Sequence, residues 1–145
     1  MAQGCGYTVR QAKWELDAEA LRRIRDFVFV EEQGVPAELE HDAQDCSAVH
    51  VIAEDCRGEP IGTGRLLASG QIGRMAVLPA WRNRGVGHAL MDALLSPIKS
   101  RGIHPFLNAQ RTAMKFYLDL GFSPVGPEFI EAGIVHQRME KPASH

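Results

Sequence analysis

No run in the chain approaches the roughly 18 consecutive apolar residues of a membrane span, and the N-terminal region lacks the basic start and apolar stretch of a secretory signal. A cytoplasmic location with no membrane partner is therefore expected. Positive charge is not in excess: sixteen Lys and Arg stand against eighteen Asp and Glu, a net charge of -2. The broad basic footprint of non-specific nucleic-acid binding is absent, and no nucleic-acid partner is expected. Cysteine is scarce. Cys5, Cys46 and Cys56 are odd in number and form no C-x-x-C pair, which speaks against a disulfide framework or a zinc ribbon and for reduced, unpaired thiols. His41, Cys46, His50 and Cys56 lie five, four and six residues apart, gaps that match no zinc-finger or knuckle spacing, so no metal is expected. Linkers, repeats and low-complexity tracts are also missing.

What remains is 145 residues, 45% of them hydrophobic, read as a single domain over 1–145. A chain of this size hides roughly 68% of its unfolded surface on folding and needs no metal or disulfide to build a core. Alternation predicts a strand over Tyr7–Lys13. Asp17 can then cap a helix that carries Leu21, Ile24 and Val28 on one face and runs to about Val30. Ala48–Glu54 and Pro60–Ala68 read as strands joined by a hairpin-length loop, with a third strand at Gln71–Val77. Val86, Ala89, Leu90, Ala93, Leu94 and Ile98 recur at helical intervals before Gly102 and Pro105 stop the helix, with Pro97 weakening its last turn. A strand over Pro105–Ala109, a helix from a Thr112 cap to Gly121 and a strand over Val135–Glu140 complete a mixed α/β pattern.

The chemistry concentrates between Met75 and His88, where a strand passes through a short turn into a helix. Gly85 and Gly87 have no side chains to block a ligand, and the first N–H groups of a helix have no partners inside it. The helix dipole and two nearby arginines, Arg82 and Arg84, make this an anion site suited to a pyrophosphate. The alternative is a glycine-rich turn with solvated arginines. The segment is neither a Walker loop nor the G-x-G-x-x-G fingerprint of a dinucleotide fold.

Arg82-x-x-Gly85-x-Gly87, directly after Arg74-Met75-Ala76-Val77-Leu78-Pro79, resembles the acetyl-CoA signature of the GCN5-related N-acetyltransferase (GNAT) superfamily. Asn108-Ala109-Gln110, Ala113, Phe116-Tyr117 and Leu120-Gly121-Phe122 resemble the second block on which that family holds the other side of the cofactor. Phe29-Val30-Glu31-Glu32-Gln33-Gly34-Val35-Pro36 with Glu40-His41-Asp42 further resembles a small subgroup that includes ElaA-like proteins. The resemblance implies a GNAT fold, a mixed central sheet flanked by helices and splayed between the strands at Gln71–Val77 and Pro105–Ala109, with acetyl-CoA in the opening. It implies that the backbone of Met75, Ala76 and Val77 binds the pantetheine arm. The segment Arg82, Asn83, Arg84, Gly85, Val86 and Gly87 would hold the pyrophosphate, and Asn108 would contact the pantetheine side. Tyr117 would protonate the departing thiolate, a role its phenol fills when in reach of the sulfur. Core packing is the alternative for Tyr117.

Transfer of an acetyl group needs a neutral amine, so some group must accept a proton. Many GNAT proteins carry a glutamate on the strand equivalent to Gln71–Val77, but this strand has no acid. Candidates are Glu32, Asp42 and His50, with His136 behind them. Glu31, Glu32, Glu38, Glu40, Asp42 and Asp45 form an acidic segment that would line the acceptor pocket and attract a protonated amine, or else form a solvated loop. The expected activity is acetyl-CoA-dependent N-acetylation of a small-molecule primary amine. Alternatives are a peptide or protein acceptor, a non-catalytic acyl-CoA-binding module, or a phosphate binder of another fold. The oligomeric state, a homodimer among the options, is left open.

Overall fold

The computed structural model describes residues 6–98 and 101–141. Strand β1 (Tyr7–Ala12) leads into helix α1 (Trp14–Arg25), a π-helical segment (Asp26–Glu32), the single turn α2 (Ala37–Glu40) and a 3-10 turn (Ala43–Ser47). Strands β2 (Val49–Asp55), β3 (Pro60–Leu66) and β4 (Gln71–Val77) precede helix α3 (Val86–Leu95). Strand β5 (Phe106–Gln110), helix α4 (Met114–Asp119) and strands β6 (Ser123–Pro124), β7 (Phe129–Glu131) and β8 (Ile134–Glu140) follow. Among the described residues the strands form one mixed sheet in the order β1-β2-β3-β4-β5-β8-β6, with β7 beside β8. This is the helix-flanked mixed α/β architecture expected. No helix among the described residues is long and apolar enough to cross a membrane.

Several local expectations need correction. Helix α1 starts at Trp14, and Asp17 acts from inside its first turn, where its carboxylate accepts the Lys13 N–H at 2.9 Å and pairs with Arg10 at 2.9 Å. The helix does not run on regularly to Val30. From Asp26 it widens into π geometry, with the Gln33 N–H donating to the Val28 carbonyl at 3.1 Å, a form that no side-chain period distinguishes from the α-helix in a sequence. Thr112 lies in a 3-10 turn and does not cap α4, which begins at Met114 behind Ala113. Cys56 is disulfide-bonded, against the expectation of unpaired thiols, whereas Cys46 is free and exposed. Cys5 lies outside the described residues.

The main core lies between α3 and the sheet. Val86, Leu90, Met91, Leu94 and Leu95 are buried along one stripe of α3 and meet Val51, Ala53, Ile61 and Ile72. Glycines on β3 allow close approach: a Cβ on Gly64 would lie 2.8 Å from the Met75 sulfur and 2.9 Å from Leu94 Cδ1. Helix α3 thus settles onto β3, and its first turn comes to the end of β4.

Strands β4 and β5 run parallel but pair only at Gln71 with Phe106 and Ile72 with Leu107. Beyond that point β4 bulges. Thr63 faces Ala76 and Arg65 faces Gly73, so Arg74 and Met75 together oppose Gly64 alone. Arg74 takes a left-handed φ of 53°, uncommon for a side-chain-bearing residue, and the bulge bends β4 away from β5. The two strands then part.

Buried charge pins the bulge to the chain above it. Arg25 donates to Glu40 at 3.0 Å and to Asp45 at 2.9 Å, and Arg65 donates to Asp45 at 3.0 Å and Asp42 at 2.8 Å. Arg74 pairs with Glu40 at 2.6 Å and Asp42 at 3.1 Å. Arg25, Glu40, Asp45 and Arg65 are all below 5% exposed, so each charge is held by its partners and not by water. Burial alone would raise the Asp45 carboxyl, but the guanidinium hydrogen bonds and charges of Arg25 and Arg65 outweigh it and hold the group below its ordinary range. The stability this lowered pKa contributes is complete above the unfolded-state value near about 4 and is lost as pH falls through the folded-state value. Asp45→Asn leaves two arginines short of a counter-charge and is expected to cost about 3–5 kcal/mol at neutral pH. Urea unfolding from neutral pH to below about pH 4 checks this, with the gap between wild type and variant narrowing toward acid; a neutral-pH loss below about 1 kcal/mol would reduce the network to surface pairing.

Candidate active site

The parting of β4 from β5 opens a cavity of about 810 Å³, with a second of about 320 Å³ adjoining it around Trp81, Asn83, Gly87 and Phe116. Met75, Ala76, Val77, Arg82 and Tyr117 line both. The smaller cavity ends at the first turn of α3. Gly85 is the N-cap with φ 86°, a conformation glycine adopts freely, and no side chain caps the helix. The first N–H to find a helical partner is that of Ala89, which donates to the Gly85 carbonyl at 3.0 Å. The preceding N–H groups are free for an anion. A Cβ on Gly87 would lie 3.0 Å from the Phe116 ring, so only glycine leaves that surface clear. These donors and the bare backbone fit the phosphates and slender arm of an acyl-CoA.

The two arginines differ. Arg82 donates to both Glu32 oxygens at 2.6 and 2.8 Å and to the Val77 carbonyl at 2.9 Å. Arg84 lies over the Trp81 ring at 5.1 Å, exposed beside the helix start. Val86 is buried beneath that start and shapes it only through its backbone.

Asn108 lines the larger cavity from β5. Tyr117 is half-buried, edge-on to Phe116 and Phe122, and its hydroxyl has no hydrogen-bond partner among the described residues. Burial pushes its phenol up to about 12, so the hydroxyl holds its proton at neutral pH and can donate it.

The proton acceptors proposed from the sequence separate in space. Glu32 is tied to Arg82, whose hydrogen bonds hold its carboxyl below the ordinary range. Asp42 lines the cavity, but Arg65 and Arg74 overcome its burial and hold it low as well. His50 does not line the cavity: it is buried, stacked on Trp14 at 4.9 Å, and donates from Nε2 to the Asp45 carbonyl at 2.8 Å. Glu40 and Asp45 are likewise held by arginines, so the acidic segment is largely neutralised from within and not a bare anionic surface. Asp26, Glu40 and His41 bring one possible metal-ligand atom each within 4.8 Å of one another, yet Arg25 and Arg74 hold Glu40, and His41 pairs with Asp26.

His136 does line the cavity, from β8, with 8% exposure. Its Nδ1 lies 2.7 Å from the Ile134 carbonyl, which only accepts, so Nδ1 carries the hydrogen; Nε2, 3.9 Å from Glu131 Oε2, has a lone pair whenever the ring is neutral. In the sequence it was an isolated strand histidine. Equally silent there was a bridge across the opening, where the Gln110 amide donates to Gln33 Oε1 at 2.7 Å over 77 positions of chain.

Comparison with known proteins agrees with this geometry. The model of the acetyltransferase (GNAT) domain matches residues 16–143. The Bacillus subtilis protein YjcF, an uncharacterized N-acetyltransferase, is 40% identical over 124 residues, covering 81% of this chain and 87% of YjcF. The crystal structure of Escherichia coli ElaA superposes with a TM-score of 0.83 at 26% identity, covering 94% of this chain and all of that one, 100%. An acyl-CoA N-acyltransferase from Pseudomonas aeruginosa superposes with a TM-score of 0.77 at 29% identity, covering 94% and 99% of the two chains. A family match over nearly the whole chain, on a sheet that parts beside an uncapped helix start, makes this chain a member of the GNAT acetyltransferase family.

Proposed function

We propose that the chain is an acetyl-CoA-dependent N-acetyltransferase acting on the primary amine of a small molecule, by direct transfer without a covalent enzyme intermediate. The observation that carries this reading is a pair of adjoining cavities with helix N–H groups at one end and the Tyr117 hydroxyl lining both, each without a hydrogen-bond partner among the described residues. A small acceptor is favoured because the Glu32–Arg82 and Gln33–Gln110 bridges cross the opening where an extended peptide would need room. A place in the ElaA-like subgroup is part of this reading, supported by the likeness to Escherichia coli ElaA over the full length of that chain.

Acetyl-CoA supplies the activated acetyl group as a thioester. In this reading the N–H groups at the start of α3, with Arg84 beside them, hold the pyrophosphate, and the Met75 to Val77 backbone with Asn108 aligns the arm. His136, which lines the cavity with the Glu131 carboxylate 3.9 Å from its Nε2, accepts the amine's proton at that nitrogen, because arginines hold Glu32 and Asp42 ionised. Tyr117 gives its phenolic proton to the sulfur as the carbon–sulfur bond breaks.

Gly87→Asp puts bulk and negative charge beside the phosphate donors, and Phe116, itself 37% exposed, can swing aside. Titration calorimetry should show loss of acetyl-CoA binding in a variant that still melts cooperatively; wild-type affinity would remove the helix start from the site. Tyr117→Phe should lower turnover about 100-fold while acetyl-CoA affinity holds, measured by thiol release. A change of only a few-fold would make Tyr117 a packing residue. His136→Gln should lower kcat/KM by a similar factor while acetyl-CoA affinity holds. A loss of only a few-fold in the variant would place the base elsewhere.

A further inference from the structure

We infer that the amine acceptor also carries a carboxylate, and that Arg74 reads it; this rests on the acetyl-transfer reading above but concerns the acceptor end of the cavity. Arg74 stands on the β4 bulge, where its left-handed backbone turns the side chain out of the regular ladder toward α2. Its Nε contacts the Glu40 carboxylate and carbonyl, and its Nη2 donates to the carbonyls of Leu39 and Glu40 and to Asp42 Oδ2. Nη1 has no partner among the described residues, is not among the sealed polar atoms, and belongs to a side chain 24% exposed that lines the cavity. One end of a guanidinium otherwise locked in place is therefore open to a ligand.

The surroundings favour an anion there. In the same wall Arg65 is 4% exposed, and its Nε is buried with no partner among the described residues. Burial and the nearby Arg65 charge together hold the Arg74 guanidinium below its ordinary pKa, the condition an added negative charge relieves. The side-chain amides of Gln44 and Gln71 line the wall, have no partners among the described residues, and can donate to a second oxygen. Glu40 and Asp42 beside Arg74 set the limit. A monoanion can sit on Nη1 next to these carboxylates, whereas a phosphate dianion would be repelled by them. The rest of the wall includes Val28, Phe29, Val35, Leu67 and Ile72, which suits an apolar body. The class defined is a carboxylate-bearing primary amine with an apolar body, of which the apolar α-amino acids are the simplest.

Matched acceptors test this on the wild-type protein. Leucine, methionine and phenylalanine are compared, by thiol release at saturating acetyl-CoA, with their primary amides and with the corresponding amines lacking the carboxyl. In parallel, the N-acetylated acids and their amides are titrated into the protein with CoA present, a measurement that needs no turnover. A charge-assisted hydrogen bond predicts about a 10-fold or greater advantage in kcat/KM for the acids. Arg74→Gln should bring that ratio to within about 3-fold of unity, a selectivity change that a general loss of stability or of acetyl-CoA affinity does not produce. The wild-type comparison decides if that variant fails to fold. Amides or simple amines used as well as the acids would overturn the inference while leaving acetyl transfer intact. Acetylated acids bound in preference to their amides, with no amine turned over, would uphold anion recognition and refute the proposed activity. Equal binding of acids and amides, binding of neither, or a preference for phosphoethanolamine over every amino acid would overturn the carboxylate assignment.

Discussion

Two residue pairs hold β4 to β5, and the rest of the opening follows from where that short ladder ends. A parallel pair that continued would leave no room for a ligand and would satisfy its own backbone groups. Here the bulge at Arg74 and Met75 puts one extra residue on β4, turns the strand away from β5 and frees wall surface on both sides. Helix α3 can reach the exit of that wall because Gly62 and Gly64 let it lie close to β3. Its uncapped first turn and the opening are consequences of the same sheet geometry.

Charge is distributed so that the bulge stays where it is. Arg74 is anchored through Glu40, Asp42 and the carbonyls of α2, and those acids are shared with Arg25 and Arg65. Three arginines and three carboxylates thereby close on themselves with little water. Buried pairs of this kind add little net stability over apolar packing, but losing one member strands another charge. The network therefore specifies a conformation more than it deepens the fold. It also changes what the acidic segment can do, because carboxylates held ionised by guanidinium groups make weak bases.

At neutral pH the cavity has a retained proton on the Tyr117 phenol and a tautomer set on His136 by the Ile134 carbonyl. These two groups come from α4 and β8, on the β5 side of the parting, while Arg74 and the π-helical segment form the opposite wall. The groups proposed as proton donor, proton acceptor and carboxylate reader thus arrive from separate elements that meet only because the sheet splays.

Some of this was written in local sequence. The strand Gln71–Val77, the amphipathic stripe of α3 and the glycine-flanked helix start all depend on neighbours within a few residues, and period and punctuation report them directly, whereas α3 gives way at Leu95 to a 3-10 turn over Ser96–Ile98, short of the expected stop at Gly102. The family motif lies in those same segments, so the family and the uncapped helix start were legible too. What the sequence could not decide were relations between distant positions: Arg82 turning to Glu32 across 50 positions, Gln110 meeting Gln33, Cys56 in a disulfide, and His50 buried beneath Trp14 while His136 faces the cavity. The π-helical turn and the left-handed Arg74 have no residue pattern of their own, since each is imposed by packing against the sheet. Local periodicity thus determined the elements and one end of the site, and only tertiary pairing decided which titratable groups remained free to act, because a charge's availability depends on the partner that the fold brings to it.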